Sequence, residues 1–266
     1  MTGRGVLAFL LVWLLAASVS AQSLRIADRQ TEKTVSATAL LADPATRTVT
    51  IDDPVYRRSM TYRAIPVSTL LKGLAVAADD YVQLIATDQF SIGVPARLAL
   101  RPQALVAIQD PAHPWPTMPG RNAGTAGPFF VIWQDAKRNE ISSEYWAYKL
   151  AALQVTDSPY KRWPVLAVGD DVPDTDPARR GLDRYVALCI ACHRFKGAGE
   201  GDQGPDLGKP MNPVDYLQPA ALRQLLRNPA KVRDWPDRKM PTFRPDTLSD
   251  QDLEAIVAWL AYKARR

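Results

Sequence analysis

The sequence predicts a two-domain chain, an α+β domain followed by a smaller all-α domain, and three observations carry that expectation. With 266 residues and 47% hydrophobic content, there is material for two ordinary cores. Up to about residue 158 the apolar residues fall in short alternating or β-branched runs, whereas residues 177–266 carry them at helical spacing. Between the two lies the segment 159–176, in which Pro164, Pro173, Gly169, Asp170, Asp171, Asp174 and Asp176 give the polar, breaker-rich composition of a linker.

Residues 1–21 read as a secretory signal. Arg4 supplies the positive start, Val6 to Ala17 an apolar run of about a dozen residues, and Val19-Ser20-Ala21 a cut site before Gln22. The run is shorter than the roughly 20 residues that a bilayer span needs, so no stable span is expected unless the signal is retained. No cysteine near the cut offers a lipid anchor.

Residues 22–158 then predict strands at Arg47 to Ile51, Ser59 to Ala64, Tyr81 to Thr87, Phe90 to Val94, Ala104 to Gln109, Phe129 to Trp133 and Leu150 to Val155. Short helical stretches are expected at Ala37 to Leu41, Pro66 to Leu74 and Ser143 to Tyr148, and no internal repeat is present. The loop Asp110 to Pro128 is stiffened by Pro111, Pro114, Pro116 and Pro119 and turned by Gly120, Gly124 and Gly127. It could present His113, Trp115, Met118 and Arg121 as a ligand lid, or be a surface excursion with one buried tryptophan.

In the last part, Asp176 can cap a helix with Pro177 in its first turn, placing Gly181, Tyr185, Leu188, Cys189 and Cys192 on one face. A second helix is expected at about Pro219 to Arg227. Ser249 can cap a third, with Asp250, Asp252 and Glu254 near its positive end and Leu253, Ile256, Val257, Leu260 and Ala261 as its stripe.

The chemistry concentrates in Cys189-Ile190-Ala191-Cys192-His193. A zinc site needs further ligands, yet these are the only two cysteines, and His113 is the one other histidine. A redox disulfide sits on the first turn of a helix after a strand, whereas Cys189 ends a helical pattern and a histidine follows Cys192 at once. The spacing is that of covalent haem attachment, in which two thiols add to the vinyl groups and the histidine reaches the iron. For a sixth ligand the sequence leaves Met240, Met211 and, from the upstream domain, His113 open.

The helix running into this motif, Gly204-Pro205-Asp206-Leu207, the run Met240-Pro241-Thr242-Phe243 and a C-terminal amphipathic helix together resemble class I cytochromes c, over about residues 175–266. The resemblance implies one covalently attached haem c, with His193 and Met240 as iron ligands and Pro205 accepting from the histidine ring. It also implies a crossing of first and last helices where Gly181 and Tyr185 meet Trp259 or Leu260. Trp235 would either bond a haem propionate or simply pack. Because covalent attachment in bacteria takes place outside the cytoplasm, the mature protein is expected in the periplasm.

Upstream, Met60-Thr61-Tyr62-Arg63-Ala64-Ile65-Pro66-Val67 with Leu70-Leu71, Leu84-Ile85-Ala86-Thr87-Asp88 with Ile92-Gly93-Val94-Pro95, and Gly127-Pro128-Phe129-Phe130-Val131-Ile132-Trp133 resemble the molybdopterin-binding domain of the sulfite oxidase family. That family binds molybdenum through a cysteine thiolate, and none occurs before Cys189, so a fold relative without molybdenum or molybdopterin is expected. Docking, oligomerisation or a small ligand remain as its work.

The net charge is +5, with 16 Lys and Arg against 12 Asp and Glu between residues 175 and 266. Lys231, Arg233, Arg238, Lys239 and Arg244 flank Met240, either as a docking ring for an acidic redox partner or as ordinary solvated surface. The expectation is an electron carrier rather than a catalyst, exchanging electrons with periplasmic donor and acceptor proteins and binding no nucleic acid. Two rivals stand beside it: the haem-bearing subunit of an oxidoreductase, and a gas-binding cytochrome with a labile sixth ligand.

Overall fold

The computed structural model describes residues 22–119, 124–136, 141–235 and 238–266. The segment read as a secretory signal lies outside the described residues, as do Gly120 and Arg121 of the proline-rich loop and Asp237 before Met240.

The N-terminal region is a mixed α+β domain. β1 (Ser23–Ala27) turns back on β2 (Glu32–Ser36), and Ser36 caps α1 (Ala37–Ala42) by accepting from the Ala39 N–H. Strict alternation follows, with Val49 and Ile51 of β3 (Arg47–Asp53) and Met60, Tyr62 and Ala64 of β4 (Arg58–Pro66) facing inward. Outward, the hydroxyls of Thr50 and Thr61 meet at 2.8 Å in the same register. After α2 (Val67–Leu70) come β5 (Tyr81–Ala86), β6 (Ser91–Pro95), α3 (Ala96–Ala99), β7 (Ala104–Ile108), β8 (Phe129–Trp133) and β9 (Leu150–Thr156). β7 and β8 are buried at every position, which explains why both read as unbroken apolar runs.

Two sheets result, one ordered β2-β1-β9-β5-β6 and the other β3-β4-β7-β8. The β1–β9 ladder is parallel and the remaining ladders are antiparallel. In the core, Tyr62 stands edge-on to Trp115 at 5.0 Å and to Phe130 at 6.1 Å. Its hydroxyl donates to the buried Asp53, whose other oxygen accepts from the Val55 and Tyr56 N–H groups and closes the β3–β4 turn. Trp115 and Met118 therefore anchor the proline-rich loop inward, while His113 stands exposed and bonded to Asp110 at 3.0 Å.

The remainder is helical. α4 (Pro159–Arg162) and a 3₁₀ turn at Pro164–Leu166 lead to α5 (Pro177–Leu188), α6 (Pro213–Tyr216), α7 (Pro219–Arg227) and α8 (Asp250–Ala264). The expected caps form: Asp176 accepts from the Ala178 N–H and Ser249 from the Asp252 N–H. α5 and α8 cross at Gly181, where a Cβ would overlap the Ala255 carbonyl, and one turn further Tyr185 stacks on Trp259 at 4.4 Å. Among the described residues no helix is long and apolar enough to cross a membrane.

The proline- and aspartate-rich segment before α5 packs closely rather than extending. Leu166 is fully buried and its carbonyl accepts from the Trp259 indole N–H at 3.2 Å. The Ala167 carbonyl accepts from Lys263, and the Gly169 N–H donates to the Tyr262 hydroxyl at 2.8 Å. The differences from the sequence reading are local. β1 and β2 escape it, as do the one-turn helices α3, α4 and α6; the helix at Val67 stops after one turn, with Gly73 left-handed at φ +83°; and Ser143–Tyr145 closes only a 3₁₀ turn.

Candidate functional site

Cys189 is the residue at which α5 ends, and the chain then coils once more before leaving the helix axis. The Cys192 and His193 N–H groups both donate to the Cys189 carbonyl, at 3.0 and 2.8 Å, so the two thiols and the imidazole leave a single turn. Ile190 and Ala191 between them are buried, anchoring that turn in the core. The Tyr185 hydroxyl donates to the His193 carbonyl at 2.8 Å and ties the turn back to the helix.

The imidazole is held from two sides. Its Nδ1 lies 2.8 Å from the Pro205 carbonyl, an acceptor only, so Nδ1 carries the proton and Nε2 keeps its lone pair. Gly204 lies against the ring, and a Cβ there would overlap it. The Gly204 N–H donates to the Cys192 carbonyl at 2.9 Å, and the Asp206 carboxylate accepts from the Lys196, Gly197 and Gly208 N–H groups, which pins the loop. Burial holds the His193 pKa below its usual value, against the opposing pull of the Pro205 carbonyl, so the ring is neutral at pH 7. Both cysteines are free and half-buried; burial pushes the Cys189 thiol up to about 12 and the Cys192 thiol up to about 11, so both are protonated at neutral pH.

Met240 is partly buried against the core, whereas Met211 is 52% exposed. Two arginines fasten the Met240 loop through its backbone. Arg238 donates to the Met240 carbonyl at 2.6 Å, and Arg227 to the Phe243 and Leu248 carbonyls at 2.8 and 2.6 Å. Trp235 is exposed, with the Arg233 guanidinium 5.2 Å from its ring centre.

Beside Cys192 lies a cavity of about 270 Å³. Cys192, Gln203, Lys239 and Pro241 line one side, and Phe90, Glu144, Trp146 and Tyr148 of the α+β domain line the other. Burial pushes the Glu144 carboxyl up to about 7 despite a hydrogen bond from Ser143. His113 does not line this cavity.

The sequence reading missed the contribution of Phe90, Glu144 and Tyr148, because nothing local marks a residue whose role depends on a segment far along the chain. Arg238 was legible only as charge, and Arg227 only as the end of a helix. A neutral histidine with its Nδ1 proton held by a carbonyl, on the same turn as two thiols, fits a haem attached through two thioethers, and of these three residues Cys192 lines the cavity. Among the described residues, no three or more His, Cys, Asp and Glu side chains gather as a metal-binding group.

Residues 176–260, about a third of the chain, match the family of cytochrome c oxidase, cbb3-type, subunit III. No curated protein matches the chain. The C-terminal region is thus similar to a cytochrome family.

Proposed function

We propose that this chain is a monohaem c-type cytochrome acting as an electron carrier. The observation that carries the reading is the His193 imidazole, fixed as the Nδ1–H tautomer by Pro205 on the same turn as two free thiols. Cys189 and Cys192 would hold the haem covalently, with His193 and Met240 as axial ligands. The haem supplies a one-electron Fe(III)/Fe(II) couple when bound, and a thioether ligand favours the reduced state.

The protein's own part is orientation and exclusion of water. Pro205 and Gly204 prevent the imidazole from turning, and Arg227 and Arg238 hold the Met240 backbone, so neither ligand need move when the charge changes. The similarity of residues 176–260 to an oxidase subunit family supports an electron-transfer role.

The class I cytochrome c fold for residues 177–266, the sulfite-oxidase-like fold without molybdenum for residues 22–158, the connecting segment 159–176 and the signal at 1–21 belong to the same proposal. So does a periplasmic location, with redox proteins as donor and acceptor.

The test is an optical spectrum, ferric and ferrous, of protein exported from a strain competent in cytochrome c maturation. Covalent low-spin haem with the weak long-wavelength ferric band of methionine ligation is expected. A high-spin ferrous spectrum with fast carbon monoxide binding would overturn His/Met ligation, and absence of covalent haem would overturn the cytochrome. Stoichiometric molybdenum in the same sample would overturn the reading of the α+β domain.

A further inference from the structure

The cavity beside Cys192 is built by two regions far apart in sequence, and its α+β side is not a loose flap. The Ser142 hydroxyl donates to the Ala187 carbonyl at 2.7 Å, two residues before Cys189. That bond stands at the start of the turn Ser143–Tyr145, from which Glu144, Trp146 and Tyr148 follow into the cavity wall. Trp146 is itself buried and packs against Phe130 of the β8 core at 6.1 Å, so the wall is continuous with the α+β core.

A second set of bonds starts from α4 (Pro159–Arg162). Arg162 grips Glu200 with both terminal nitrogens, at 2.6 and 3.3 Å, and Tyr160 donates to Asp183 on α5 at 2.7 Å. The Glu200 side chain is 11% exposed and that of Arg162 28%, so the pair is partly shielded from water. α4 comes just after β9, and Tyr160 also stands edge-on to Tyr81 of β5 at 6.4 Å, so α4 links the sheet to the region that carries the cysteines.

We infer that the α+β domain is a permanent wall of the haem crevice, with Phe90, Trp146 and Tyr148 covering the haem beside Cys192, so that the domain sets how much water the haem meets. The inference rests on the cytochrome reading proposed above and deepens it by assigning work to the upstream domain. Its physical effect is on the redox equilibrium. Solvent stabilises the more highly charged ferric state, so a wall that excludes water favours the ferrous state.

The experiment compares backbone amide NMR shifts of the full-length holoprotein in its ferric and ferrous states. Redox-dependent shifts are expected at Phe90, Trp146 and Tyr148, as large as those at Gln203 on the opposite side of the same cavity. Covalent haem with redox-dependent shifts confined to residues 177–266 would overturn the wall and leave the cytochrome standing, whereas absence of covalent haem overturns both. Phe90→Ala in the holoprotein gives the second readout. Opening the wall is expected to raise the oxidised-to-reduced ratio at a fixed potential by roughly threefold, about 28 mV for a one-electron couple. An unchanged ratio in a folded variant counts against the inference.

Discussion

Gly204 and Pro205 act on one imidazole, the first by having no side chain and the second by offering a carbonyl. Gly204→Ala should push the ring off the Pro205 carbonyl while leaving both cysteines in place. Covalent haem retained with a weakened low-spin ferric signal, read by electron paramagnetic resonance, is the expected outcome. Met240→Ala should keep the covalent haem and lose the thioether band. Arg238→Ala should weaken that band without touching the iron, because the guanidinium fixes the Met240 carbonyl rather than the sulfur. Far from this site, Asp80 is nearly buried, its pKa lowered first by the Arg29 guanidinium at 2.7 Å and further by the Ala77 N–H. A carboxyl with a depressed folded pKa contributes stability above its ordinary value of about 3.9 and loses it as pH falls through the lowered one. Asp80→Asn should therefore destabilise the protein at pH 7 and flatten its loss of stability in acid, as followed by denaturant titration at several pH values. At this scale the sequence is most legible where residue type itself is the signal: Cys189, Cys192 and His193 stand together in the sequence, and the structure brings them onto one turn. Arg238 gives no such signal, since its work is a bond to a backbone carbonyl.

Three helices of the C-terminal region, α5, α7 and α8, were legible in outline because capping side chains and apolar spacing are local properties, whereas the one-turn α6 was not. Asp176 and Ser249 bond as their positions suggested, and Pro219–Arg227 forms as read. The crossing of α5 and α8 was legible in Gly181 and in the aromatic that follows it. Gly181→Ala should cost about 1–3 kcal/mol or more, since the new methyl meets backbone that cannot step aside. The loss should appear in the unfolding midpoint with the haem content unchanged. Strands were less evenly legible. β3, β4 and β8 announce themselves by alternation or by an unbroken apolar run, whereas β2 (EKTVS) is mostly polar and pairs only with β1, whose other partner, β9, lies far along the chain. The long proline-rich loop was ambiguous for a similar reason: only the contacts of Trp115 and Met118 with the core reveal which way it faces.

Across the whole molecule, the sequence showed two kinds of structure but not how they are joined. A stretch with the composition of a spacer turns out to bond along α8, and the Arg162–Glu200 pair spans the boundary. A double-mutant cycle on Arg162→Ala and Glu200→Ala should give a coupling energy of about 1–3 kcal/mol. The two regions should then unfold in one transition, and the variants should separate it into two by calorimetry.

The parallel pairing of β1 with β9 bears on the order in which the chain can fold. Arg25 reaches Gln154 across 129 positions, and β9 lies between β1 and β5, so the five-stranded sheet lacks its middle until well over half of the chain exists. During synthesis the β1–β2 hairpin has no neighbour to pair with, and hairpins alone are marginal in water. Whatever cellular machinery handles the emerging chain therefore meets the amino-terminal third as an open polypeptide, and the sheet can close only once β9 is present, ahead of the turn bearing the two cysteines.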